Sequence, residues 1–282
     1  MNVHVEVAPQ ALWHIPIPGT NYEFPITNSF FMMLIVMVLL IVIGTFVARR
    51  ATLVPTRGQG AVEIIIEFLL GLVEGAAGKK LGRSIFPIIG GLFIFILFAN
   101  YVELLPGLGT VYLHRTVAGE SVHMPLIRPP TSDLNMTIAM SLLAYAMFQY
   151  LGIKANGFRG RIKHLATPVF VFPIEVISET ARIVSLSFRL FGNIFAGDVL
   201  LTIMYSIAAA IKITIIGFLV PVVFLYLEVL FGFIQALVFA ILTLIYISLA
   251  AATDHGDHVE ESFEQESGML PRHAVESAAT GD

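Results

Sequence analysis

Six ionisable side chains inside one long apolar stretch are the residues of this sequence that could do chemistry. From Thr167 to Ala252 the chain is almost continuously apolar, with a weak break near 212–221. The six charged residues outside this break are Glu175, Glu179, Arg182, Arg189, Asp198 and Glu228. A charge at the centre of a membrane helix costs at least about 2.5–3.5 kcal/mol. A structural scaffold has no use for so many charges, and the pattern predicts ion transport.

Most of these residues share one face of the first helix of this stretch. On a wheel of roughly 100° per residue, Glu175, Glu179, Arg182, Arg189 and Asn193 form a stripe. Glu179 and Arg182 are three residues apart and can pair, and Arg182 can also reach Glu175.

Arg189 has no acidic neighbour on its own helix. The residues three and four positions away are Ser185, Leu186, Gly192 and Asn193. An arginine stays charged under nearly all conditions, so its carboxylate must come from another helix or another protein. Small residues on its face (Ser185, Gly192 and Ala196) allow a close helix approach. The alternative is that Arg189 snorkels or bonds to helix carbonyls.

A second polar patch is predicted away from the Glu175–Glu179 stripe. Asp198 lies roughly 140° around the helix from it, and Glu228 and Gln235 are seven residues apart on the last helix. Carboxyl groups in a low-dielectric site can exchange protons near neutral pH. Two carboxyl patches on either side of a fixed cation predict a proton route that is interrupted in the middle. Alternatively, Asp198 and Glu228 share a proton and tie two helices together, which would still permit conduction.

The composition is that of an integral membrane protein. Of 282 residues, 57% are hydrophobic and 13% charged, and there is no cysteine. The high hydrophobic fraction indicates that most of the chain faces lipid. The absence of cysteine excludes disulfides, thiolate metal sites and thiol catalysis. No cofactor, metal or nucleic-acid partner is expected.

The predicted fold is all-α. Upright membrane helices are expected at 29–48, 84–104 and 134–153, the last one capped by Ser132 and Asp133. An interfacial amphipathic helix is expected at 60–78, where Glu63, Glu67 and Glu74 share a face. An outer-side segment (1–28), an outer loop (105–133) and a cytoplasmic acidic tail (253–282) complete the chain. The tail is predicted to be disordered, with a docking role as the alternative.

The stretch 167–252 is predicted to be a hairpin of two long, strongly tilted helices. Helices of about 35–40 residues measure about 50–60 Å, whereas the hydrocarbon core is about 30 Å thick. They must therefore tilt. The alternative is three ordinary spans with a break near Gly192.

Lysine and arginine in the loops predict the orientation. They cluster before the second span (Arg49, Arg50, Arg57, Lys79, Lys80, Arg83) and after the third (Lys154, Arg159, Arg161, Lys163). The 105–133 loop has only Arg115 and Arg128. By the positive-inside rule the N-terminus and this loop are outside, and the C-terminus is cytoplasmic.

Four sequence segments resemble subunit a of F-type ATP synthases. They are SLSFRLFGNIFAGD (185–198), NYVELLP (100–106), PTSDLN (130–135) and QALVFAILTLIY (235–246). The resemblance covers roughly residues 25 to 252. It is specific, because RLFGN in such a stretch is not a generic membrane motif.

The resemblance implies a proton-translocating subunit of a bacterial plasma-membrane ATP synthase, with no catalytic chemistry of its own. Arg189 matches the family's essential arginine, which separates two half-channels and faces a carboxylate of the rotating ring of subunit c. Implied partners are that ring, the peripheral-stalk subunit b, the rest of the complex, lipid and protons. The outer half-channel would contain Asn193, Asp198, Glu228 and Gln235, and the cytoplasmic one Glu175 and Glu179.

Secondary candidates are Arg182, Glu103, Asp133 and Tyr246. Glu103 and Asp133 flank the outer loop and either feed protons inward or cap the loop. Some family members have Glu where this chain has Asp198, and some have His where it has Glu228, so the pH range of conduction can differ here.

The rival function is a secondary transporter whose substrate anion binds Arg189. It predicts an internal repeat, and the sequence shows none.

Overall fold

The computed structural model describes residues 10–16, 23–52, 55–105, 112–117, 120–125, 128–166, 172–210 and 214–251. The predicted acidic tail (253–282) and the first nine residues lie outside these ranges. The same holds for part of the outer loop and for 167–171 at the start of the predicted hairpin.

Long helices make up most of the described chain. They are α1 (Asn28–Arg49), α2 (Arg57–Tyr101), α3 (Leu134–Ala166), α4 (Phe172–Ala210) and α5 (Thr214–Ala251). All five are long and apolar enough to cross a membrane. The prediction of a helical integral membrane protein is confirmed at this level.

A glycine bends α2 into two parts. Gly78 has φ 74° and ψ 162°, a backbone conformation that is essentially restricted to glycine. The predicted interfacial helix (60–78) and second span (84–104) fall on either side of it. Arg83 Nε lies 2.7 Å from Glu74 Oε1 across the bend. Gly157, with φ 71° and ψ 162°, bends α3 in the same way, shortly after the predicted end of the third span.

Two short antiparallel hairpins lie outside the helices. In the N-terminal segment, β1 (Ala11–Pro16) pairs with β2 (Glu23–Thr27). In the 105–133 loop, β3 (Tyr112–Val117) pairs with β4 (Glu120–Pro125). Neither hairpin was predicted from the sequence. Their strands are short and three of the four contain proline, which is depleted in strands, so the local signal is weak.

The core of the molecule lies among α2, α3, α4 and α5. Its fully buried side chains include Ile85, Phe93, Ile96, Leu190, Phe239 and Ile247. In contrast, α1 lies outside this core and contacts α2, through Met32 and Val36, as well as β2 and the turn that precedes α3. A 3-10 turn, Pro130–Ser132, packs against α1, α2, α3 and α4 and closes one end of this bundle.

Helices α4 and α5 pack side by side in antiparallel directions. Gly197 lies against Glu228 near one end of the pair, and Arg182 lies against Tyr246 near the other. Helix α4 has 39 residues and continues through Gly192 without a break, which contradicts the alternative of three ordinary spans. Helix α5 has 38 residues. At 1.5 Å per residue each helix is about 57–59 Å long.

Candidate functional site

Arg189 lies on an exposed face of α4. Ser185 and Ala196 are exposed on the same face, while Leu186 and Leu190 turn toward the core. Within the part of the chain that the structure describes, no carboxylate forms an ion pair with Arg189. The guanidinium is therefore presented outward, on a smooth surface of small side chains.

Glu228 of α5 is held against a glycine of α4. A Cβ atom at Gly197 would collide with Glu228 Oε1 and would lie 3.0 Å from Glu228 Cδ. Glycine leaves room for the carboxyl group in this position, and a larger residue would require the Glu228 side chain to move. Both carboxyl oxygens of Glu228 are buried, and neither has a hydrogen-bond partner among the described residues.

A cavity opens between α4 and α5 beside this carboxyl group. Its volume is about 190 Å³, and Asn193, Gly197 and Glu228 lie on its wall together with leucine and phenylalanine side chains. A water molecule needs roughly 10–15 Å³ of such space, so several could enter. The structure thus places the predicted residues Asn193 and Glu228 on the wall of one cavity that is large enough for several water molecules.

Asp198 completes this group, named here the Glu228 cluster (Asn193, Asp198 and Glu228). Asp198 lies close enough to Glu228 for the two carboxyl charges to interact. Arg128 also lies within electrostatic reach of Asp198. Arg128 is buried, and its Nε donates a hydrogen bond to Ser132 Oγ at 3.0 Å. In the sequence Arg128 is only a loop charge, and its placement near Asp198 was not predictable because the two residues are 70 positions apart.

The C-terminal end of α2 fixes α5 next to the Glu228 cluster. Asn100 Nδ2 donates to the carbonyl oxygen of Gly232 at 3.2 Å, and Tyr101 Oη donates to that of Val229 at 3.2 Å. Gln235 is buried one turn further along α5, and its Nε2 has no hydrogen-bond partner among the described residues. These contacts hold the segment of α5 that carries Glu228 and Gln235.

A second polar group, the Glu179 cluster (Tyr145, Gln149 and Glu179), joins α3 to α4. Glu179 is buried, and its Oε2 accepts hydrogen bonds from Tyr145 Oη at 2.9 Å and from Gln149 Nε2 at 2.8 Å. Gln149 Nε2 also donates to Tyr145 Oη at 2.7 Å. The sequence reasoning predicted Glu179 but not its two partners on α3. Their spacing of four residues was the available signal.

Glu175 and the secondary candidates Arg182 and Tyr246 lie beside the Glu179 cluster. Arg182 is 3.9 Å from Glu175 Oε1, and its guanidinium carbon is 4.8 Å from the centre of the Tyr246 ring. Of the two pairings predicted for Arg182 on α4, the one with Glu175 is therefore present. Ring and guanidinium meet in a cation–π contact between α4 and α5.

Arg189 separates the two clusters along α4. Glu179 precedes Arg189 by ten residues and Asp198 follows it by nine, which corresponds to about 15 Å and about 13–14 Å of helix rise. The Glu228 cluster lies at the end of the bundle that the Pro130–Ser132 turn closes, and the Glu179 cluster lies toward the opposite end.

The two candidates that flank the outer loop are Glu103 and Asp133. Asp133 is buried at the start of α3, and its Oδ1 accepts a hydrogen bond from the backbone N–H of Asn135 at 2.9 Å. This is the capping role predicted for it. Glu103 lies in the 3-10 turn Val102–Leu104 at the end of α2.

Comparison with known proteins identifies the family. The family model for the ATP synthase A chain matches residues 30–248. This chain belongs to that family. Its matched region contains both clusters and Arg189.

Curated bacterial relatives align over most of the chain. The ATP synthase subunit a of Moorella thermoacetica is 36% identical over 245 residues, which covers 86% of this chain and 96% of the relative. That of Desulforamulus reducens is 38% identical over 205 residues, covering 72% and 71%. The Helicobacter pylori protein is 33% identical over 243 residues, covering 84% and 94%. Family membership and the five helices together make this chain a multi-pass bacterial membrane protein of the ATP synthase.

Proposed function

We propose that this chain translocates protons across the bacterial plasma membrane as the stator subunit of a rotary F-type ATP synthase. The observation that carries the proposal is the position of Arg189. It is a permanent cation on an exposed surface of small side chains, with no carboxylate paired to it in the described structure. A passing carboxylate of the rotating ring of subunit c supplies the missing partner.

Two offset half-channels follow from the two clusters. Asn193, Asp198, Glu228 and Gln235 form the outer half-channel, and the cavity beside Glu228 admits water to it. Glu175 and Glu179 form the cytoplasmic half-channel. A proton enters one half-channel and neutralises a ring carboxylate, which can then face lipid. After nearly a full turn of the ring the proton leaves through the other half-channel. Arg189 prevents a direct leak because its positive charge repels a proton between the clusters.

The lengths of α4 and α5 support a tilted placement in the membrane. Each is about 57–59 Å long, whereas the hydrocarbon core is about 30 Å thick. Strong tilt lets one face of α4 follow the curved surface of the ring. The peripheral-stalk subunit b is the proposed partner that keeps this chain from turning with the ring.

Replacement of Arg189 by alanine tests the function. We expect ATP-driven proton pumping by inverted membrane vesicles to be abolished, while the subunit remains assembled in the complex. Arg57→Ala is the matched control because it removes an exposed cation at the start of α2 that belongs to neither cluster, and it should pump normally. Normal pumping by the Arg189 variant would overturn the mechanism.

A further inference from the structure

A polar stripe on α3 faces the first half of α4. Thr137, Ser141, Tyr145 and Gln149 follow one another at intervals of four residues, which places them on one face of the helix. The hydroxyl groups of Ser141 and Ser187 are hydrogen-bonded between the two helices. One and two turns further along α3, Tyr145 and Gln149 reach Glu179. The stripe therefore makes polar contacts with α4 at two levels.

The contact at Glu179 uses every donor that the two α3 side chains offer. One amide N–H of Gln149 binds Glu179 Oε2, and the other binds Tyr145 Oη. The hydroxyl proton of Tyr145 points to the same Glu179 oxygen. An amide has two N–H donors and a phenol has one, so the set is complete. Such a set fixes both the position of the carboxyl group and the direction from which a proton can reach it.

Other titratable and charged groups lie beside this set: Glu175 and Arg182 on α4 and Tyr246 on α5. Arg182 and Glu175 lie 3.9 Å apart, and Arg182 also contacts Tyr246. Tyr145 and Gln149 donate directly to Glu179 from α3.

We propose that Tyr145 and Gln149 are positioning residues of the proton path, which hold the Glu179 carboxyl group in the place and orientation in which it exchanges protons. This inference rests on the proposed function, and it assigns α3 a part in a path otherwise built from α4 and α5. The exchange is a simple one: a proton binds a Glu179 oxygen, displaces one donor, and leaves again when that donor returns.

The test uses inverted vesicles that carry the whole complex, with ATP-driven pumping measured against pH. Tyr145→Phe removes the hydroxyl donor and keeps the ring packed on Phe148, whose centroid is 5.8 Å away. Gln149→Met removes the amide at similar volume. Loss of a donor leaves the Glu179 carboxyl group less well oriented for proton transfer. We expect each variant to pump more slowly and to show a pH profile of pumping that differs from that of the unaltered protein.

Ser141→Ala is the matched control. It removes an α3–α4 hydrogen bond on the same stripe without touching Glu179, and its pH profile should stay that of the unaltered protein. In the double variant Tyr145→Phe/Glu179→Gln, the pH profile should equal that of Glu179→Gln alone. If Tyr145→Phe fails to assemble, Gln149→Met carries the test.

Unshifted profiles in the assembled variants would overturn the positioning role, as would an equal shift in Ser141→Ala. The proposed function would be untouched by that result so long as Arg189→Ala remains inactive. Normal pumping by Arg189→Ala would instead contradict the proposed function itself, so the failure of one proposal can be distinguished from the failure of the other.

Discussion

Individual residues in this chain experience two contrasting environments. Arg189 is exposed on a helix surface without a carboxylate partner in the described structure, whereas the Glu228 carboxyl group is buried without a hydrogen bond there. A negative charge on a buried carboxyl group without a hydrogen-bond partner costs free energy, so such a group needs either a proton or water beside it. The cation needs a partner from outside, and the acid needs a proton or solvent. Both requirements fit a site through which charge passes.

Glu228→Gln should slow proton flux and alter its pH dependence. Glutamine keeps the shape that fits beside Gly197 but cannot release a proton. Loss of one acid–base group in a transfer path costs on the order of tenfold or more. ATP-driven pumping measured across a range of pH checks this. An unchanged profile would remove Glu228 from the path.

Two further variants sharpen that experiment. Glu67→Gln removes an exposed carboxyl group of α2 that lies outside both clusters, and it should leave the profile unchanged. Glu228→His replaces the acid with another group that can exchange protons. It should recover part of the flux with a different pH optimum, whereas a purely steric role for Glu228 predicts no recovery.

Helical elements are interrupted by glycines whose backbone angles other residues rarely adopt. Gly78 bends α2 and Gly157 bends α3, each with a positive φ. The bend at Gly78 lets one continuous element contain both the predicted interfacial helix (60–78) and the predicted second span (84–104). The pair Arg83–Glu74 joins the two parts across it. The direction of the part of α2 that follows the bend therefore depends on the backbone conformation of Gly78.

Gly78→Ala should destabilise the subunit by about 1–3 kcal/mol because alanine is strained at this φ and ψ. No atom lies within 4 Å of the position of an added Cβ, so the cost is conformational rather than a clash. The measurement is the temperature at which the detergent-solubilised complex releases this subunit. Gly75→Ala, also with open space but within regular helix, should raise that temperature slightly. Equal behaviour of the two variants would contradict the assigned role of Gly78.

Sequence patterns predicted the features that depend on local neighbours. The apolar runs predicted the helices, and the absence of acids near Arg189 on α4 predicted that its partner comes from elsewhere. Contacts between distant segments were not predictable in this way. The placement of Arg128 near Asp198 and of Gln149 on Glu179 depends on how helices pack, which a helical wheel of one element does not contain. The two hairpins were missed because short, proline-containing strands give a weak period-two signal.

At the scale of the whole molecule, the two clusters occupy opposite ends of one bundle. The Glu228 cluster lies near the Pro130–Ser132 turn and Arg128. The Glu179 cluster includes Tyr145 and Gln149 of α3, and the part of α3 that follows them contains the basic residues that begin at Lys154. Because loop charges predict which end is cytoplasmic, the same rule assigns each cluster to a side of the membrane. The direction of the proposed proton path thus depends on the orientation of the whole chain.

Single cysteines can determine that orientation, because the chain contains no cysteine of its own. Thr52→Cys lies in the exposed connection between α1 and α2, and Thr116→Cys lies in β3. We expect a membrane-impermeant thiol reagent to label the first in inverted vesicles only and the second in right-side-out vesicles only. Leu142→Cys, on the exposed face of α3, should react in neither, since a thiol in hydrocarbon does not form the reactive thiolate. The reverse pattern for the first two would place Glu228 at the cytoplasmic side and exchange the two half-channels.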